Sequence, residues 1–130
     1  MIRPLFALAA LGALSACEGG EATDSSACDR DPPLSYDNFG RGFLEKQCTG
    51  CHSSLLRAEQ RNDAPVGVDL NSYRDALMWA ERIQARVLDP EVPTMPPGGG
   101  PSADELILLD EWLQCELLPA AAAWREEGSP

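Results

Sequence analysis

The chain has 130 residues, 44% of them hydrophobic, and a formal net charge of −11, enough for one globular domain with flanking segments and too little for two. Ten Lys and Arg stand against 21 Asp and Glu, a balance that repels phosphate and excludes a nucleic-acid partner. It suits partners with basic docking faces, and equally suits plain solubility in a charged surrounding.

Arg3 is a short positive region ahead of an apolar run, Leu5 to Ala16, which is too brief to span a bilayer. Residues 1–16 therefore read as a signal peptide. The run closes on Leu14-Ser15-Ala16-Cys17, which resembles a bacterial lipobox, with Cys17 acylated and left as the new N-terminus. An ordinary cleavage site beside a cysteine is the plainer alternative. Cleavage leaves 114 residues with nine basic against 21 acidic, a net charge of −12. The expected location is the periplasm or cell envelope, held to a membrane by lipid, with more than one acyl chain needed for a stable hold. Glu18 is not the Asp that favours the inner membrane, which directs the expectation towards the outer one.

Residues 17–33 are Gly, Ser, Thr, Asp, Glu and Pro with almost nothing apolar, and read as a flexible tether. A first helix is expected from Ser35 as N-cap, with Asp37 in its first turn. Tyr36, Phe39, Gly40 and Phe43 share a face, and Gly40 would permit close crossing by another helix.

The helix leads into Cys48-Thr49-Gly50-Cys51-His52, the Cys-x-x-Cys-His pattern of a c-type haem attachment site. Two thiols at that spacing can each form a thioether to a vinyl group of one porphyrin, and the adjacent imidazole falls beneath the iron. A thioredoxin-like pair would sit near a strand–helix unit, and no alternating β-branched run precedes it. A structural zinc site needs four ligands, whereas this chain has one His and no second Cys-x-x-Cys. The chemistry expected is one covalent haem c, with Cys48 and Cys51 as attachment points and His52 as proximal iron ligand.

From Ser53 to Leu70 the chain is polar and broken by Pro65 and Gly67, so no regular element is expected. A metal-ligating His generally donates its second N–H to a carbonyl, and residues 64–67 are where that carbonyl is expected. A second helix reads from Ser72, with Asp75 completing a capping box, to Leu88. Tyr73, Ala76, Leu77, Ala80, Ile83 and Val87 form its inner face.

The segment Val92 to Pro101 holds four Pro and three Gly around Met95, so Met95 sits on a loop. With His52 the only His, a sixth iron ligand must come from Met95, Met78, a Lys such as Lys46, or be absent. Met95 is the expected distal ligand and Met78 is expected to be core filler. The last helix starts with a capping box of Ser102 and Glu105, and Leu106, Ile107, Leu108, Leu109, Trp112 and Leu113 make it largely buried. Pro119 is expected to close it near Leu117, leaving residues 119–130 as a tail, either a short helix or disordered. Two cysteines remain, Cys28 and Cys115. In an exported protein a disulfide between them is expected, closing a loop worth roughly 4 to 5 kcal/mol at most.

Residues 34–118 resemble a class I cytochrome c domain: a helix running into Cys48–His52, a middle helical region, a loop with Met95-Pro96, and a last helix with Trp112. The resemblance implies an all-α, cytochrome c-like fold, three main helices with long loops wrapped around one covalently attached haem. It also implies that the first and last helices cross at small residues, with Gly40 and Phe43 against Leu109 and Trp112. The function implied is single-electron carriage between envelope redox proteins by a monomer, with no catalytic residues. Two other readings remain open: a haem protein with an open or labile sixth site, acting as gas sensor or redox enzyme, and an accessory haem domain docking on a larger oxidoreductase.

Overall fold

The structure, a computed structural model, describes residues 28–89, 91 and 95–128. The expected signal peptide, the acylation site Cys17 and the tether as far as residue 27 lie outside the described residues. Those described form helices joined by loops, with no strand among them, so the architecture is all-α.

Ser35 caps the first helical segment: its hydroxyl accepts from the Asn38 backbone N–H, and the Asn38 side chain accepts in return from the Ser35 N–H at 2.7 Å. The first turn, Tyr36–Gly40, is π-helical, because the Gly40 and Arg41 N–H groups reach back five residues to the carbonyls of Ser35 and Tyr36. Helix α1, Arg41–Gln47, continues it. The crossing partner of Gly40 is Trp112. A Cβ at position 40 would lie 2.3 Å from the Trp112 ring, so only glycine allows the indole to rest on this turn.

Helix α2, Tyr73–Val87, starts at the capping box of Ser72 and Asp75. Ala76, Leu77, Ala80 and Ile83 are buried on its inner face, and Tyr73 and Val87 are partly buried at its ends. Met78 is 46% exposed rather than core filler. It lies two residues from both Ala76 and Ala80, and about 100° of rotation per residue turns it away from them.

Helix α3, Ala103–Trp112, begins at the capping box of Ser102 and Glu105. Leu109, Trp112, Leu113, Leu117 and Ala121 are fully buried along one stripe, while Ile107 is 66% exposed. The helix is therefore half-buried, not largely buried, since Ile107 lies about 200° around from Leu109. It also does not stop at Pro119. A π-helical segment, Leu113–Leu117, leads into helix α4, Leu118–Glu126, with Pro119 in its first turn. Proline lacks the N–H and crowds the preceding turn, and the widened π turn just before it accommodates both deficits. Instead of a loose tail, α4 packs against α2, with Trp124 against the core.

Cys28 and Cys115 are joined by a disulfide, 87 residues apart in sequence. Beside it Arg30 donates to both carboxylate oxygens of Glu111, at 2.6 and 2.8 Å. Residues 28–33, counted with the tether on composition, are thus held on α3 and the π-helical segment after it by a bidentate ion pair and a covalent bond. Glu116 fastens the other side of the same helix to α2, accepting from the Tyr73 hydroxyl at 2.5 Å and from the Trp112 indole N–H.

Candidate functional site: a cavity holding two thiols, an imidazole and a thioether

The residues after α1 keep helical bonding through the motif. The Cys51 N–H donates to the Cys48 carbonyl at 3.1 Å and the His52 N–H to the same oxygen at 2.9 Å. That turn places Cys48 and Cys51, three residues apart, on one side. Both line a cavity of about 440 Å³ together with His52 and Met95. The volume falls in the range of small-molecule and cofactor sites, about 300 to 1,000 Å³.

Besides the motif itself and the loop of Met95, Pro96 and Pro97, three chain segments wall the cavity. Helix α1 supplies Phe43 and Gln47, and α2 supplies Trp79, Ile83 and Val87 at successive helical turns with Arg82 and Arg86 beside them. The third wall is the loop after the motif. There Asn62 and Asp63 are both left-handed, with φ of 47° and 64°, a conformation their short polar side chains tolerate. Gly67 is left-handed too, at 88°. These reversals bring Val68 back over His52.

The carbonyl partner of His52 is Val68, 2.9 Å from Nδ1, one residue beyond the stretch where it was expected. A carbonyl can only accept, so Nδ1 carries the proton and Nε2 keeps its lone pair. The loop is further pinned to the motif by the Leu70 N–H donating to the His52 carbonyl at 2.9 Å, and by Asn71, whose amide donates to the Ser53 hydroxyl at 2.9 Å.

Of the three candidates for a distal donor, Met95 alone lines the cavity. Its backbone N–H donates to the Arg86 carbonyl at 3.1 Å, which ties the loop to the last turn of α2. Lys46 is engaged elsewhere, in an ion pair with Glu105 at 2.7 Å, and Met78 faces solvent.

The chain matches no protein-family model, no curated protein and no solved structure. The chemistry of the site must therefore be judged from its own residues.

Burial pushes the Cys48 thiol up to about 12. A redox pair of the thioredoxin kind needs a thiolate, favoured by a lowered value, so this environment works against dithiol exchange. A neutral thioether carries no such cost. No group of three or more His, Cys, Asp or Glu side chains gathers in a metal-holding arrangement among the described residues.

Sequence reasoning missed two contributors. Trp79 lies four residues before Ile83, and that spacing was the signal for its place on the cavity wall. Arg61 was counted with a polar, irregular loop, yet it is 1% exposed. Its guanidinium donates to the carbonyls of Ser53 at 2.6 Å, Pro65 at 2.9 Å, Val68 at 2.9 Å and Ala64 at 3.3 Å, and to Asp69 at 2.8 Å. Only its position eight residues before an aspartate hinted at this.

Proposed function

We propose that the chain is a membrane-tethered monohaem c-type cytochrome that carries single electrons between redox proteins of the bacterial envelope, with a cytochrome c-like domain over residues 34–118. The observation that carries the reading is the convergence of Cys48, Cys51, His52 and Met95 on one cavity. The residues present fit a haem. Two thiols on one helical turn can each hold a vinyl carbon, and the apolar wall of Phe43, Trp79, Ile83 and Val87 suits a porphyrin face. Arg82 and Arg86 are the kind of donor that recognises carboxylates such as the two propionates.

A haem held here supplies a one-electron ferric/ferrous couple. The residues would do the rest. Val68 fixes the His52 ring plane and tautomer, leaving Nε2 as the donor atom. The Met95 thioether, a softer donor than nitrogen, would favour the reduced state and so raise the potential. The apolar walls act in the same direction, because low polarity disfavours the more highly charged ferric form. Cys17 would supply the lipid anchor. No helix among the described residues is long and apolar enough to cross a membrane. The acidic chain suits redox partners with basic docking faces.

A second reading, in which the sixth position is labile, draws on Met95 being 37% exposed on a loop. One experiment separates the two. The protein is co-expressed with a cytochrome c maturation system, and optical spectra are taken ferric and ferrous, with and without carbon monoxide, beside Met95→Ala. The electron-carrier reading expects a low-spin wild type that ignores carbon monoxide and a high-spin variant that binds it. Wild-type binding of carbon monoxide would favour the sensor or enzyme, and absence of covalent haem would overturn both.

A further inference from the structure

The Val68 carbonyl has two lone pairs, and both are used: one accepts from His52 Nδ1–H and the other from the Arg61 guanidinium, each at 2.9 Å. We infer that Arg61 is a positioning residue for His52, setting through this shared carbonyl how strongly the imidazole donates to an iron and thereby holding the reduction potential up. The inference rests on the reading of His52 as proximal ligand.

The geometry carries the inference in three steps. Arg61 is almost wholly buried, and its donors are matched by the four carbonyls and one carboxylate named above, so the cation cannot leave without orphaning several buried acceptors. Its oxygen partners span residues 53 to 69, which makes it the hub on which the His52-bearing loop is folded. Lastly, a cation on the far lone pair of the Val68 carbonyl draws electron density from the oxygen. The oxygen then pulls less on the Nδ1 proton, and the ring has less imidazolate character. A poorer donor at Nε2 stabilises the ferric state less, and the positive charge of Arg61 opposes ferric iron directly. Both effects raise the potential. Asp69, paired with Arg61 at 2.8 Å and 21% exposed at its side chain, partly offsets them.

The test is a spectroelectrochemical titration of the haem-loaded protein at fixed pH and salt, comparing wild type, Arg61→Gln and Asp69→Asn. Arg61→Gln is expected to shift the ferric/ferrous equilibrium about tenfold towards ferric, a drop of about 59 mV for one electron. Asp69→Asn is expected to shift it in the opposite direction. That second sign separates positioning from simple bracing, since a loosened loop admits water and lowers the potential in both variants. A haem-loaded Arg61→Gln protein with the wild-type potential overturns the inference, as does a fall in Asp69→Asn. Should Arg61→Gln give no folded holoprotein, Asp69→Asn decides alone. A wild type without covalent haem removes the proposed function and this inference with it, whereas a haem-loaded wild type with an unmoved Arg61→Gln removes only the inference.

Discussion

Replacing Gly40 by alanine tests the crossing on which the fold turns. In an open helical position the change is favourable, since alanine surpasses glycine by about 1 kcal/mol in a helix interior. Gly42 is such a position, with nothing within 4 Å of an added Cβ. At Gly40 the added methyl would lie 2.3, 2.6 and 2.7 Å from three atoms of the Trp112 ring, far inside contact distance. Trp112 has no room to withdraw. It is fully buried, its N–H is bonded to Glu116, and its ring stands edge-on to Phe39 with centroids 6.0 Å apart. Overpacking of this kind costs about 1 to 3 kcal/mol, enough to reverse the propensity gain. Thermal unfolding followed by circular dichroism should therefore show Gly40→Ala melting on the order of 10 °C below Gly42→Ala, given about 4 to 8 °C per kcal/mol for a domain of this size. Combining Gly40→Ala with Trp112→Phe, which trims the ring, should recover part of its own loss. If Gly40→Ala is as stable as Gly42→Ala, the close crossing is not how these segments pack.

Two further outcomes follow from the staples around that crossing. Glu105 is held at about 2, chiefly by its bond from Lys46, against an ordinary value of 4.5. Its contribution is therefore complete above pH 4.5 and lost as pH falls towards 2. The melting-temperature gap between wild type and Glu105→Gln should be level from pH 7 to 5 and close below 4.5, and a gap that widens in acid would refute this. Removing the disulfide with Cys28→Ser and Cys115→Ser together should lower unfolding free energy by about 2 to 5 kcal/mol in urea titrations, and a loss under about 1 kcal/mol would mean the bridge closes no costly loop.

Local chemistry made much of this legible beforehand. The N-caps Ser35, Ser72 and Ser102 could be anticipated, the last two with their capping-box partners Asp75 and Glu105, because a cap is decided within four residues. So could the Met95 loop, from its density of Pro and Gly. What escaped depended on partners distant in sequence. Pro119 reads as a stop, and only the π turn at Leu113–Leu117 lets the helix pass it. Ile107 belongs to an apolar run but not to the apolar face, a distinction of angle rather than composition. Arg61 looked like surface because charged residues usually are. Its burial is possible only because the surrounding backbone turns four carbonyls inward, which no single residue type announces. Val68 was missed by one position for the same reason, since which carbonyl faces His52 depends on the left-handed residues at 62, 63 and 67.

The bridge at Cys115 also decides how the domain bears a load. A pull on the chain ahead of Cys28 enters the protein at the π-helical segment of Cys115 through a covalent link. This second covalent path relieves the backbone that runs on from Cys28 towards Ser35 and His52. The segment carrying both cavity thiols and the imidazole lies inside the closed covalent loop, so tension on the N-terminal chain would load the scaffold before it disturbed the site.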